Sequence, residues 1–105
     1  MRKVEITMQP KFDLGNVGIT RRAAQAMASF DNSAKKFAEL LVRHASGDWG
    51  EIAESDKRMN DRALTDGNMI LSQYRIGDEL MLWVISDPAD DAGQRVTSVL
   101  LPDER

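Results

Sequence analysis

The chain has 105 residues, 42% hydrophobic and 30% charged, which suits one modest core in a single domain over residues 1–105 and is too apolar for an extended disordered tail. Its 14 Lys and Arg against 17 Asp and Glu leave a formal net charge of −3, so nothing pulls it globally toward a phosphate backbone, a nucleic-acid partner is disfavoured, and the carboxylates are too sparse for a DNA mimic. The lack of cysteine removes disulfides, thiolate nucleophiles and thiolate zinc sites, and without a signal-like N-terminus or an apolar run of roughly 18–20 residues the expected setting is cytoplasmic, with no membrane partner.

In chain order, Val4, Ile6 and Met8 alternate with Lys3, Glu5 and Thr7, the period-two pattern of a strand that Pro10 ends. The stretch from Lys11 to Ile19 carries Gly15 and Gly18 and reads as a loop or short irregular strand, with Phe12, Leu14, Val17 and Ile19 turned inward. Thr20 suits the N-cap of a short helix presenting Ala23, Met27 and Phe30. Ser33 is expected to cap a second helix, whose stripe of Phe37, Leu40, Leu41 and His44 ends at Gly47.

A third helix is expected over Glu51–Thr65, mostly solvated, with a sparse apolar face of Ile52, Met59, Ala63 and Leu64. MILSQYRI and ELMLWVI then read as strands joined by a two-residue turn at Gly77-Asp78, and VTSVLLP as a further strand ended by Pro102. The expected fold is α+β: an N-terminal strand, two to three helices packed on one sheet face, and a three-strand antiparallel meander.

The stretch HASGDWGEIAESDKRMNDRAL, residues 44–64, holds the densest chemistry. His44, the only histidine, could serve as a general base. No acid, nucleophile or metal ligand is specified beside it, and the favoured reading is structural, an imidazole at a helix C-terminus interacting with the dipole and the last carbonyls. Trp49, flanked by Asp48 and Gly50, either seals the helical corner or anchors a partner. Asp48, Glu51, Glu54 and Asp56 read as complements to a helix N-terminus in preference to metal ligands, and Lys57, Arg58 and Arg62 as part of a mixed, salt-bridged solvent face. No P-loop, dinucleotide fingerprint or nucleophile elbow is present, and neither a metal nor a cofactor is implied.

HASGDWGE, then Asn60–Leu64 with Gly67, ILSQY at 70–74, LWVI at 82–85 and TSVLLPDE at 97–104 together resemble a family of small bacterial "plasmid-related" proteins of mobile elements and chromosomes, sometimes labelled type I restriction–modification subunits. The resemblance runs from Phe12 onward and includes Phe12–Gly15 and ITRRAAQAM. It departs after Ile85, where SDPADDAGQR is longer than the family's usual turn. What it implies is a setting, mobile elements and host defence, with no defined activity. The order of elements is also similar to that of the RelE/ParE toxin superfamily, whose members are basic, whereas this chain is acidic and offers only Tyr74, Arg75 and Arg95 on the sheet.

The leading expectation is therefore a small non-enzymatic protein-binding or regulatory module contacting its partner through Asp48, Trp49, Tyr74 and Trp83, with the GDWG corner as the contact edge. The exposed edges of a small sheet also raise the expectation of a homodimer. The alternative is a toxin-like RNase in which His44 works with Arg75 or Arg62 on a phosphodiester.

Overall fold

A computed structural model describes residues 9–105, and the strand expected around Val4, Ile6 and Met8 lies outside them. The described chain runs β1 (Asn16–Ile19), α1 (Arg21–Ala28), α2 (Ser33–Ala45), α3 (Glu54–Asp66), β2 (Ile70–Ile76), β3 (Leu80–Ser86) and β4 (Val96–Leu100), closing on a 3-10 turn at Pro102–Glu104. The class is α+β, as expected. The sheet is mixed, with order β1-β4-β3-β2. The meander β2-β3-β4 is antiparallel, but β1, formed from the stretch read as a loop, pairs parallel with β4 from Asn16↔Val96 to Ile19↔Val99.

Local chemistry sets the helix limits. Thr20 caps α1 as expected, its Oγ1 accepting from Ala23 N at 3.1 Å. The α2 cap differs: the helix begins at Ser33, and the preceding position is Asn32, left-handed at φ 58 with no side-chain cap, a conformation asparagine tolerates better than most residues. Helix α3 starts at Glu54, three residues later than expected, because residues 49–51 lie along the edge of β2. There the Glu51 N–H donates to the Gln73 carbonyl (2.7 Å) and the Gln73 N–H to the Trp49 carbonyl (3.1 Å). That approach requires Gly50, at φ 76, where a Cβ would stand 2.0 Å from the Gln73 carbonyl oxygen. The hairpin loop is three residues, not two: Ile76 pairs with Leu80, and Gly77 takes the positive φ.

Strand alternation gives the sheet two distinct faces. Ile70, Ser72, Tyr74 and Ile76 share one face with their partners Ser86, Val84, Leu82 and Leu80, while Leu71, Gln73 and Arg75 share the other with Ile85, Trp83 and Met81. Helices α1 and α2 cover the first face, burying Ala23, Met27 and Leu40 against Tyr74, Leu82, Val84 and Val99. A second cluster under α3 joins Trp49, Ala63 and Ile70, with Phe12, Ile52 and Leu64 packed against it. The expected α3 face holds at Ile52, Ala63 and Leu64 but not at Met59, which is 62% exposed while Asn60 is buried. The Asn60 amide donates to the Leu71 carbonyl (2.8 Å) and accepts from the Leu71 N–H (3.2 Å). Asn60 and the 49–51 segment thus occupy the outer backbone groups of β2 at Leu71 and Gln73, closing that edge. Val17 and Ile19, expected to turn inward, are exposed because β1 lies at the opposite rim.

Candidate functional site

His44 projects from the last turn of α2 onto the helix-covered face of the sheet and is fully buried. Its ring does not bond the carbonyls at the helix end, which are met by the N–H groups of Ser46, Gly47 and Asp48. Nδ1 lies 2.6 Å from Ser72 Oγ and Nε2 3.0 Å from Ser86 Oγ. Ser86 Oγ lies 2.6 Å from Thr97 Oγ1, which donates to the Leu14 carbonyl at 2.7 Å.

The direction of every bond in this chain follows from its far end. A carbonyl only accepts, so the Thr97 hydroxyl proton goes to Leu14, and Thr97 Oγ1 accepts the proton of Ser86. Ser86 has then spent its proton and accepts from His44 Nε2–H. Burial, reinforced by the nearby Arg95 guanidinium, pushes the His44 pKa down to about 4, so the ring is neutral at pH 7 and Nδ1 accepts from Ser72. The imidazole is therefore the Nε2–H tautomer, with both nitrogens satisfied.

The Ser72–His44 contact has the spacing of a base and its nucleophile, yet both side chains have no exposed surface. The ring is walled edge-on by Phe12 (centroids 5.4 Å apart) and Trp49 (5.9 Å). Arg75 lies on the opposite sheet face, where it pairs with Glu51 at 3.2 Å. The expected pairing of His44 with Arg75 at one phosphate is thus corrected: the two side chains lie on opposite faces of the sheet, and the imidazole and its Ser72 partner have no exposed surface.

The partner residues expected at the GDWG corner also divide. Trp49 is only 4% exposed, its indole N–H donating to Asp61 Oδ1 at 3.0 Å. Tyr74 is buried with its hydroxyl on the Asp48 carbonyl and its ring under the Arg43 guanidinium, 4.4 Å from the ring centroid. Burial raises its pKa, with the Asp48 charge adding to the effect. Asp48 makes a two-pronged pair with Arg43 (2.7 and 3.3 Å), and that hydrogen bond holds its carboxyl below the usual range. These three residues build the corner, and the side chains of Trp49 and Tyr74 are not available as contact anchors. Of the helix-start carboxylates, Glu54 and Asp56 do lie in the first turn of α3, and Glu54 pairs with Lys57 at 3.2 Å.

Arg95 has a role that the sequence reading missed. Buried without a carboxylate, it donates to the carbonyls of Asn68 (2.8 Å), Asp87 (2.9 Å) and Ala63 (3.2 Å), joining the end of α3 to the loops around the sheet. Desolvation lowers its pKa. Among the described residues no buried side-chain nitrogen or oxygen lacks a partner, and no cluster of three His, Asp or Glu side chains is arranged to hold a metal.

Trp83, the fourth expected contact residue, is half-buried on the sheet face opposite α1 and α2. Its indole N–H donates to Gln73 Oε1 (2.7 Å), and the same amide donates to the Glu51 carbonyl (2.9 Å), which fixes the ring. Between this ring and the start of α3 lies a groove of about 470 Å³, lined by Ile52, Met59, Met69, Leu71 and Trp83 with Glu51 and Asp56 among its polar residues. Met59 and Met69 are both exposed. Neither methionine carried a motif: Met59 read as part of the sparse apolar face of α3 and Met69 as the start of the strand that follows it. Comparison of the chain with protein-family models, with curated proteins and with solved structures returns no match. No described helix is long and apolar enough to cross a membrane.

Proposed function

We propose that the protein is a small, non-enzymatic, cytoplasmic protein-binding module that receives an apolar anchor of its partner in the groove between the start of α3 and Trp83. The observation that carries this reading is the pairing of a fixed aromatic wall, Trp83 held by Gln73, with two exposed methionines, Met59 and Met69. Unbranched thioether side chains adapt to an incoming apolar group, and a ring locked by a hydrogen bond loses little entropy on contact. The sealed imidazole supports a binding role over a catalytic one. The sequence resemblance supports a setting in mobile elements, with a component of host defence as the partner.

Met59→Lys tests the reading. Because Met59 is largely exposed, the variant should fold with an unchanged circular dichroism spectrum while affinity for the partner captured by the wild type falls by at least about tenfold, as at an interface hot spot. The partner is identified by affinity capture from the native host and its binding then measured by calorimetry with both proteins. Equal affinity of wild type and Met59→Lys would remove the groove from the interface.

A further inference from the structure

The two edges of the sheet are treated differently. The outer groups of β2 at Leu71 and Gln73 are occupied by Asn60 and by the backbone of residues 49–51. On β1, by contrast, no described strand lies on the far side. The Thr20 N–H donates to the Val99 carbonyl at 3.0 Å, so in the alternation of a parallel ladder the even-numbered residues of β1 face β4, and the N–H and C=O groups of Val17 and Ile19 point outward. The strand, Asn-Val-Gly-Ile, contains none of the charges or prolines that blunt a free edge, and all four residues are exposed, Val17 at 40% and Ile19 at 37%.

We propose that this edge is a homodimer interface in which β1 of two copies pairs antiparallel about a two-fold axis at Gly18, joining the two sheets into one. In that register Val17 of each copy opposes Ile19 of the other, so each outward N–H meets an outward C=O, and two identical apolar pairs form on the helix-covered face. Gly18 meets its symmetry mate at the narrow, non-hydrogen-bonded position. A Cβ there would meet no described atom within 4 Å, so among the described residues that space is available to the partner strand. Two apolar hollows flank the strand, one holding Val17 with Phe12 and Leu14, the other Ile19 with Met27 and Phe37. The antiparallel arrangement turns each toward the other copy's opposite hollow, widening the patch toward the roughly 800 Å² per partner of a specific interface.

Charge agrees with this direction. Asp13 precedes the strand and Arg21 follows it; the other charges at the trailing end are engaged within the chain, Arg22 with Asp103 and Glu104 with Thr20, so antiparallel pairing brings Asp13 of one copy toward Arg21 of the other. Lys11, the other charge at the leading end, has its side chain against Gly47. Parallel stacking of the two edges would set like ends together.

The test is light scattering on a concentration series of the full chain, with Val17→Pro and Ile19→Lys, combined with amide hydrogen exchange. Val17→Pro deletes an outward N–H without removing a bond to β4, and Ile19→Lys places a charge at an already exposed position, so both variants should keep the monomer fold. The expected result is a dimer whose dissociation constant rises about tenfold or more in each variant, with the Val17 and Ile19 amides protected at high concentration and exchanging freely on dilution. A chain that stays monomeric to about millimolar concentration, the weak limit of measurable association, would overturn the proposal. So would a dimer indifferent to either variant, or a monomer in which those two amides are already protected.

Discussion

His44→Ala is expected to cost about 3–5 kcal/mol of unfolding free energy, the range for large-to-small core changes, with two buried hydroxyls left without their partner. The ring is fully buried, and its removal leaves Ser72 without an acceptor and Ser86 without a donor. Urea denaturation at pH 7 reads this loss as a lower midpoint at an unchanged slope. The same burial gives stability a pH dependence with a definite sign. In the unfolded chain the imidazole takes up a proton as pH falls below its ordinary value of 6.5, whereas the folded chain refuses that proton until about pH 4. Stability is therefore independent of this group above pH 6.5 and falls as the pH drops from 6.5 to 4, by about 3 kcal/mol at roughly 1.4 kcal/mol per pH unit. Losses from Asp48, whose carboxyl Arg43 holds below its usual range, enter only at lower pH. His44→Gln, which keeps a donor and an acceptor but does not titrate, should remove the slope between pH 6.5 and 4. An unchanged slope in that variant would assign it to other groups.

Trp49→Ala is expected to destabilise the whole domain by about 3–5 kcal/mol, where an interface anchor would lose binding in a protein that stays folded. The indole fills the cluster with Ala63 and Ile70, packs edge-on to His44, and ties the 47–50 corner to α3 through Asp61. Its loss opens a cavity beside the imidazole and admits water to the hydroxyl chain. The prediction is a thermal midpoint lower by roughly 4–8 °C for each kcal/mol, accompanied by rising titration of His44. A fully stable Trp49→Ala that binds no partner would return the GDWG corner to the role the sequence reading gave it.

The elements were legible wherever periodicity had one interpretation. The stripe Phe37, Leu40, Leu41, His44 points inward on α2, Thr20 caps α1, and the alternation in Ile70–Ile76 and Leu80–Ser86 builds the hairpin. Strand parity also separates Tyr74 from Trp83: Trp83 lies opposite Gln73, so the two aromatics occupy different faces. What stayed hidden was pairing across distance. Nothing local marks Ser72, Ser86 and Thr97 as partners of one histidine, since each is a small hydroxyl on an inward strand position and the sheet register alone aligns them. Asn60 reads as solvated helix surface until β2 presents its unpaired edge, and Arg95 reads as a basic residue of the sheet until three carbonyls surround it. Parallel pairing of β1 was illegible for the same reason, because a four-residue stretch with a glycine carries no period of its own.

His44 is a fully buried group whose two ring nitrogens are held by Ser72 and Ser86, which fixes its tautomer. The most direct measurement is the nitrogen NMR signature of the His44 ring across a pH series, with exchange of its ring proton followed in the same samples. The account predicts a neutral ring protonated at Nε2 and bare at Nδ1 from pH 7 to pH 5, with slow proton exchange. A ring that titrates near its ordinary value of 6.5, with rapid exchange at both nitrogens, would contradict it and reopen the catalytic alternative.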